Sequence, residues 1–452
     1  MKVSLIRRLY RKIRDKLILN TVRTVVHENI ETSMCRTQDV LHNSIMHHAE
    51  LQKFYTFLNS NLIKEQEART KIASGKKLKV FFIVASVAKF AFKSIYDEME
   101  KSDLFEPTIF IVGYDKQDWT HMEILEAFQY FSDNEYRTVL GYEKDTFRAI
   151  PLANFNPDIV FMNDPRLWEF SSFQNEHILF NFLVCYVPYG MSVIENFHYQ
   201  YEHIYVNFAW KNFVSNYYNY IQNTSKSYFR GLNTFFFGYP KLDDYSLPAM
   251  LPSKLKNDKP VVIYAPHYAI GAYPGLATFD VYHNFFMSLV KKYREINFVF
   301  KPHPNMIMGF QQDNEKHMTI TEYTAYFNEW NAQENGVCIT GGYIPLFKAA
   351  SLLITDSGSF IAEWLPSKNP CIYITNNETG NFSGFNDFGK SILDSYYLAD
   401  SEEKINQLFI EIMENHNDTK KSMREAVLAK EFKYIGEAGK NIVRYLEEIL
   451  GE

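Results

Sequence analysis

Residues 353–375 read LITDSGSFIAEWLPSKNPCIYIT, and this stretch decides the fold. An apolar run (Leu352, Leu353, Ile354) stops at the polar turn Thr355-Asp356-Ser357-Gly358-Ser359. A helix-compatible segment follows, and a second apolar run, Cys371 to Ile374, begins after Pro370. Short apolar runs bounded by turn residues and separated by one helix read as strand, helix, strand in a parallel sheet. The turn sets small residues and hydroxyls where the helix begins. Its unpaired N–H groups suit either an ordinary side-chain cap or a phosphate.

Two loops upstream have the same placement. Lys301-Pro302-His303-Pro304 follows the run Phe298, Val299, Phe300, and Ala265-Pro266-His267 follows Val261 to Tyr264. Proline fixes the backbone just past a strand end, so each loop presents its cation or imidazole in a defined place. Ligands of open α/β sheets bind outside the carboxyl ends of the strands. Three such loops in chain order gather His267, then Lys301 with His303, then the Asp356/Ser359 turn, into one candidate site.

These segments resemble motifs of the CDP-glycerol glycerophosphotransferases of teichoic-acid and capsule synthesis. That family shows a YAP segment after a strand, an RxHP- or KxHP-like loop, a TDxSSxxxD turn and helix, and a GYPRxD segment. This chain has YAPH at 264–267, KPHP at 301–304, TDSGSFIAE at 355–363 and GYPKLDD at 238–244, and the likeness spans about residues 78–445. It departs in three places. Gly358 stands for the first Ser of TDxSS, Glu363 for the distal Asp, and Val187-Pro188-Tyr189-Gly190 for a WHG segment whose His is a candidate base. The resemblance implies an α/β protein of GT-B architecture, with two facing Rossmann-like domains on parallel sheets. An N-terminal helical extension precedes them here.

The chain of 452 residues is too long for one compact core, and 46% hydrophobic content excludes disorder. A Rossmann-like acceptor domain is expected over 76–240, with strands near 79–84, 108–112, 158–162 and 183–187 and a helix from about Ala88 to Lys101. A linker over 241–260, rich in proline, leads to a nucleotide-donor domain over 261–452. No apolar run is long enough to span a bilayer, and residues 1–24 lack the apolar core of a signal peptide. Cys35, Cys185, Cys338 and Cys371 are far apart and read as reduced thiols of a cytoplasmic protein.

Residues 1–75 form the extension. Residues 1–24 carry eight basic side chains against Asp15, a net +7; since the whole chain is at −6, the rest carries −13. Ile6, Leu9, Ile13 and Leu17 recur at helical spacing among the basic residues, which suits either a peripheral helix on the inner face of the cell membrane or a packed helix with a solvated basic face. Residues 25–75 continue at three- and four-residue steps, as an antiparallel helical pair or a short coiled coil would. His27, His42, His47 and His48 fall on differing helix faces without a carboxylate set and do not read as metal ligands. Net acidity argues against nucleic acid as a partner.

The implied reaction moves glycerol phosphate, or a related alditol phosphate, from a CDP-activated donor to a hydroxyl of a glycan or lipid-linked acceptor. Lys301, Thr355, Ser357, Gly358 and Ser359 then face the diphosphate, and Glu363 accepts from ribose hydroxyls. By resemblance His303 contacts the phosphate or protonates the leaving group. His267 has no counterpart in the family, and its strand-end position makes it the substitute for the missing base. Asp356 orients an imidazole or caps the helix, and Tyr189 and Gly190 line the acceptor side. No cofactor or metal is required. A glycosyltransferase using a nucleotide sugar, and a catalytically degenerate scaffold in a glycan assembly complex, remain as alternatives. Deleting residues 1–24 is expected to abolish sedimentation with anionic liposomes. Salt should release the full chain too, since each basic residue at such a surface contributes about 1 kcal/mol. Equal sedimentation of the shortened chain would identify a packed helix.

Overall fold

The computed structural model describes residues 37–113, 120–165, 175–268, 277–303, 306, 318–375 and 384–451. It divides into two units, residues 1–60 and 61–452. The expected basic helix of residues 1–24 lies outside the described residues.

Residues Thr37–Ala73 form one uninterrupted helix. The expected antiparallel pair is therefore corrected: this stretch contains neither proline nor glycine, and nothing breaks it. It ends at Gly75, whose φ is +76°. There the Gly75 N–H donates to Ile72 O at 2.8 Å and the Lys76 N–H to Lys71 O at 3.2 Å, the paired bonds of a left-handed helix stop. Lys71 then pairs with Asp158 at 2.5 Å beside the start of the first sheet.

The first sheet has seven parallel strands: β1 (Leu78–Val84), β2 (Phe105–Ile111), β3 (Thr138–Leu140), β4 (Ile159–Met162), β5 (Leu183–Tyr186), β6 (Lys211–Phe213) and β7 (Thr234–Phe235), in spatial order 3-2-1-4-5-6-7. The second has six parallel strands: β8 (Val261–Ala265), β9 (Asn297–Phe300), β10 (Gly336–Cys338), β11 (Leu352–Thr355), β12 (Cys371–Ile374) and β13 (Tyr397–Ala399), in order 10-9-8-11-12-13. Each sheet reverses its strand order once, between β1 and β4 and between β8 and β11. These two switch points are where open α/β sheets hold ligands.

Both faces of the second sheet are covered, which is why its strands read as continuous apolar runs. Val261, Ile263 and Ala265 enter one core cluster and Val262 and Tyr264 the other. Met191, Val193 and Tyr239 of the first half join the former cluster, so one hydrophobic core crosses between the halves. The expected helix over Ala88 to Lys101 is two pieces, a 3-10 turn at Val87–Lys89 and a helix at Lys93–Lys101.

The segment expected as a linker begins as a buried 3-10 helix, Pro240–Ser246. Its Asp243 carboxylate accepts from the Ala438 and Gly439 N–H groups at 2.9 and 2.7 Å and so caps the last helix, Ala438–Gly451. That helix returns to the first half. A Cβ on Gly439 would lie 2.5 Å from the Ser94 carbonyl carbon, and the Tyr445 ring packs, tilted, against Phe235 at 4.9 Å. The expected domain over 261–452 is corrected accordingly, because its final helix belongs by packing to the first sheet. Gly238 precedes this joint with φ +97°, and an added Cβ would stand 2.8 Å from Tyr434 O. Gly238→Ala is expected to destabilise the chain by about 1–3 kcal/mol through backbone strain, read as a lower urea midpoint at unchanged slope.

Candidate functional site

The second switch point is built around Asp356. Its carboxylate is 2% exposed and accepts from the His267 N–H (2.5 Å), the Thr278 N–H (2.7 Å) and the Thr278 hydroxyl (2.8 Å). Burial pushes it up to about 6 against the pull of those donors. The Thr355 hydroxyl donates to Ala265 O at 2.5 Å and accepts from the Ser357 N–H at 3.0 Å. Asp356 and Thr355 therefore lock β11 to β8. The expectation that Asp356 orients an imidazole or caps the helix is corrected, since its bonds run to backbone and to Thr278, and the helix Gly358–Trp364 has no side-chain cap.

The expected phosphate turn is split by exposure. Ser357 is buried and Ser359 is exposed, with their hydroxyls 3.3 Å apart. Gly358 faces the first half: an added Cβ would stand 3.3 Å from Val193 Cγ2, so even a serine at this position requires Val193 to give way.

The histidine loops meet through Tyr268. Its ring lies 4.7 Å from that of His267 and 4.6 Å from that of His303, joining the two imidazoles in one stack. Burial lowers both histidines to about 4; for His303 the neighbouring His267, Lys301 and Lys241 add to the effect. Both imidazoles are consequently neutral at pH 7, able to accept a proton or a hydrogen bond. Pro304 lies outside the described residues.

Lys301 continues β9, its N–H donating to Tyr264 O at 2.8 Å, and is 2% exposed. Burial lowers its ammonium to about 8. Its Nζ stands 5.5 Å from the centre of the Tyr343 ring, and Lys241 Nζ stands 4.9 Å from the same ring. Glu363, 2% exposed, pairs with Lys241 at 3.1 Å and accepts from the Tyr343 hydroxyl. Glu363, expected to accept from ribose hydroxyls, is thus buried with one partner on each of its oxygens. Lys241 thus has a carboxylate partner, whereas Lys301 makes no ion pair among the described residues, and its unbalanced charge favours an anion.

Beyond the end of β5, Tyr189, expected on the acceptor side, lies under Lys89 Nζ at 5.3 Å, and nothing stands within 4 Å of a Cβ placed on Gly190. Among the described residues the buried Tyr239 hydroxyl has no hydrogen-bond partner, and burial, followed by Glu363 and Tyr189, pushes it well above its ordinary value.

Sequence reasoning missed Lys241 and Tyr343 as parts of this cluster. Lys241 stood in view as the basic residue of GYPKLDD, whereas Tyr343 carries no local signal.

This architecture, two parallel Rossmann-like sheets whose carboxyl ends carry the facing loops, is the GT-B fold. Among solved structures it is similar to a UDP-N-acetylglucosamine 2-epimerase from Listeria monocytogenes, with 13% identity and TM-score 0.55 over 82% of this chain and 96% of that one. It is also similar to S. aureus MnaA solved with UDP, with 11% identity and TM-score 0.54 over 82% and 97%. A third likeness is to the wall teichoic acid polymerase TagF, as a variant soaked with CDPG, with 13% identity and TM-score 0.53 over 88% and 98%. No protein-family model and no curated protein matches the sequence.

Replacing Asp356 by Asn turns an amide nitrogen toward N–H donors. This is expected to cost on the order of 1–3 kcal/mol, measured by urea denaturation. Unchanged stability would show that the β8–β11 lock does not depend on the carboxylate.

Proposed function

We propose that the chain is a transferase that moves glycerol phosphate, or a related alditol phosphate, from a CDP-activated donor to an acceptor hydroxyl on a cell-surface glycan or teichoic-acid-like polymer. The observation that carries this reading is the pair Lys301 and Lys241 on one tyrosine ring beside two neutral imidazoles, at a switch point opposite Tyr189 and Gly190. Phosphoryl transfer asks the protein chiefly to neutralise charge and to align the attacking and leaving oxygens. Lys301 faces the leaving CMP. His303, within electrostatic reach of both lysines, donates or accepts at the transferred phosphate once the anion raises its proton affinity. His267 steadies His303 through Tyr268 and is the donor-side candidate for moving a proton.

The likeness to TagF supports the CDP-alditol donor. The epimerase-like neighbours, one solved with UDP, favour as second reading a nucleotide-sugar transferase on the same phosphate-binding devices. Among the described residues no helix is long and apolar enough to cross a membrane. Contact with an anionic membrane surface is proposed to rest on residues 1–24.

A melting series with CDP, CMP, UDP and GDP separates the readings, since a ligand of the native state alone raises the midpoint. Stabilisation by CDP and CMP supports the first, selective stabilisation by UDP supports the second, and stabilisation by none overturns both. A bound diphosphate favours the charged Lys301, whose ammonium is poised near 8. CDP affinity is therefore expected to be nearly constant between about pH 7 and that value, where the free imidazoles are neutral and Lys301 is charged. Above it, affinity should fall by up to about tenfold per pH unit, the limit for one linked proton. Lys301→Met should bind CDP more weakly and lose this dependence, as seen by titration calorimetry. A flat profile in the unaltered chain would remove Lys301 from the phosphate site. His303→Ala is expected to lower turnover by about 100- to 10,000-fold, and His267→Ala to weaken CDP binding less than His303→Ala does.

A further inference from the structure

The first sheet has a switch point of its own, and its occupants are a buried ion pair. Asp164 lies two residues beyond the end of β4 and is 1% exposed; its Oδ2 lies 2.6 Å from Lys89 Nζ, at the end of the turn that follows β1. The Lys89 side chain keeps 26% of its surface exposed and stands over the Tyr189 ring, so the pair borders solvent rather than core. Backbone bonds fix the three loops to one another. The Asn163 side-chain amide donates to Lys89 O at 2.6 Å, and the Tyr189 N–H donates to Asn163 O at 3.2 Å. Open space lies at Gly190, the residue after Tyr189.

We infer that Asp164 is the catalytic base for the acceptor hydroxyl, with Lys89 the positioning residue that holds its carboxylate. This rests on the donor reading above. His267 and His303 are stacked on Tyr268 in the second half, beside the lysines that face the donor phosphates. In-line displacement brings the attacking hydroxyl to phosphorus from the side opposite the leaving group. The base belongs on the acceptor side, where the segment Val187 to Gly190 offers no imidazole and Asp164 offers a carboxylate. The acceptor proton passes to the Asp164 carboxylate as the new O–P bond forms. The P–O bond to CMP breaks, and its electron pair leaves on CMP.

The test follows CMP release from CDP-glycerol by the full chain, with millimolar glycerol 3-phosphate or water as acceptor, beside the Kd for CDP and the melting temperature. Asp164→Asn is expected to slow release by about 100- to 10,000-fold while CDP binding stays unchanged and melting falls modestly through loss of the Lys89 ion pair. Lys89→Met should slow it as well, and Lys89→Arg should restore it, a rescue that a purely structural role does not require. Asp164→Glu keeps the charge but displaces the carboxylate by a methylene. It should lose about 100-fold and serves if the amide variant fails to fold. An undiminished rate in either Asp164 variant overturns the inference and leaves the donor reading standing. CDP binding without CMP release by the unaltered chain does the same, whereas no CDP binding at all overturns the donor reading together with it.

Discussion

The candidate site depends on one buried carboxylate. Asp356 stands where β11 ends, and its oxygens take up backbone N–H groups from both ends of the connection between β8 and the helix Phe279–Lys292. A carboxylate removed from water is costly unless donors surround it, and a buried N–H without an acceptor is costly in turn. Each side of this arrangement therefore holds the other. Because the His267 N–H is one of the donors, Asp356 sets where that residue leaves the sheet. The position of Tyr268 follows, and with it the stack that joins His267 to His303. Thr355 adds a second tie, from its hydroxyl to Ala265 O, so two adjacent side chains turn a strand crossover into a rigid platform.

The charges on that platform are unbalanced. Lys301 is desolvated, which lowers its ammonium, and the buried carboxylate Glu363 is engaged by Lys241 and Tyr343. An anion entering beside Lys301 removes the cost of burying an unpaired cation, and this supplies binding energy beyond simple attraction. Lys241 comes from the segment that leaves the first half, whose Asp243 caps the last helix. The charge of the second half's site therefore relies on the path of the chain between the halves.

Much of the architecture was legible in the sequence, for a physical reason. Strands buried on both faces must be apolar throughout, and β1, β4, β5, β8, β9, β11 and β12 declare themselves as runs ended by turn residues. Edge strands such as Thr138–Leu140 and Thr234–Phe235 are too short to carry a period and were not seen. The loops bearing His267, Lys301, His303 and Ser359 were legible because strand ends are local features. Roles made by long-range closure were not. The backbone donors to Asp356 lie 89 and 78 residues away, and Lys89 and Asp164 are 75 residues apart. No spacing rule could have joined them, or set Lys241 and Lys301 on the same ring.

The seam between the halves gives a packing reason for glycine at position 358. Immediately after Gly190 the chain crosses to the second half. Glu195 N–H donates to Gly384 O, Asn386 N–H donates to Val193 O, both at 3.0 Å, and Ile194 bridges Phe385. An added Cβ on Gly389 would meet Val193 O at 2.3 Å, and one on Gly358 meets Val193 Cγ2 at 3.3 Å. Glycine at 358 is thus what lets this loop lie against the helix, where a larger residue pushes it away. The same crossing holds Tyr189 and Gly190 beside the joint, next to Lys89 and Asp164.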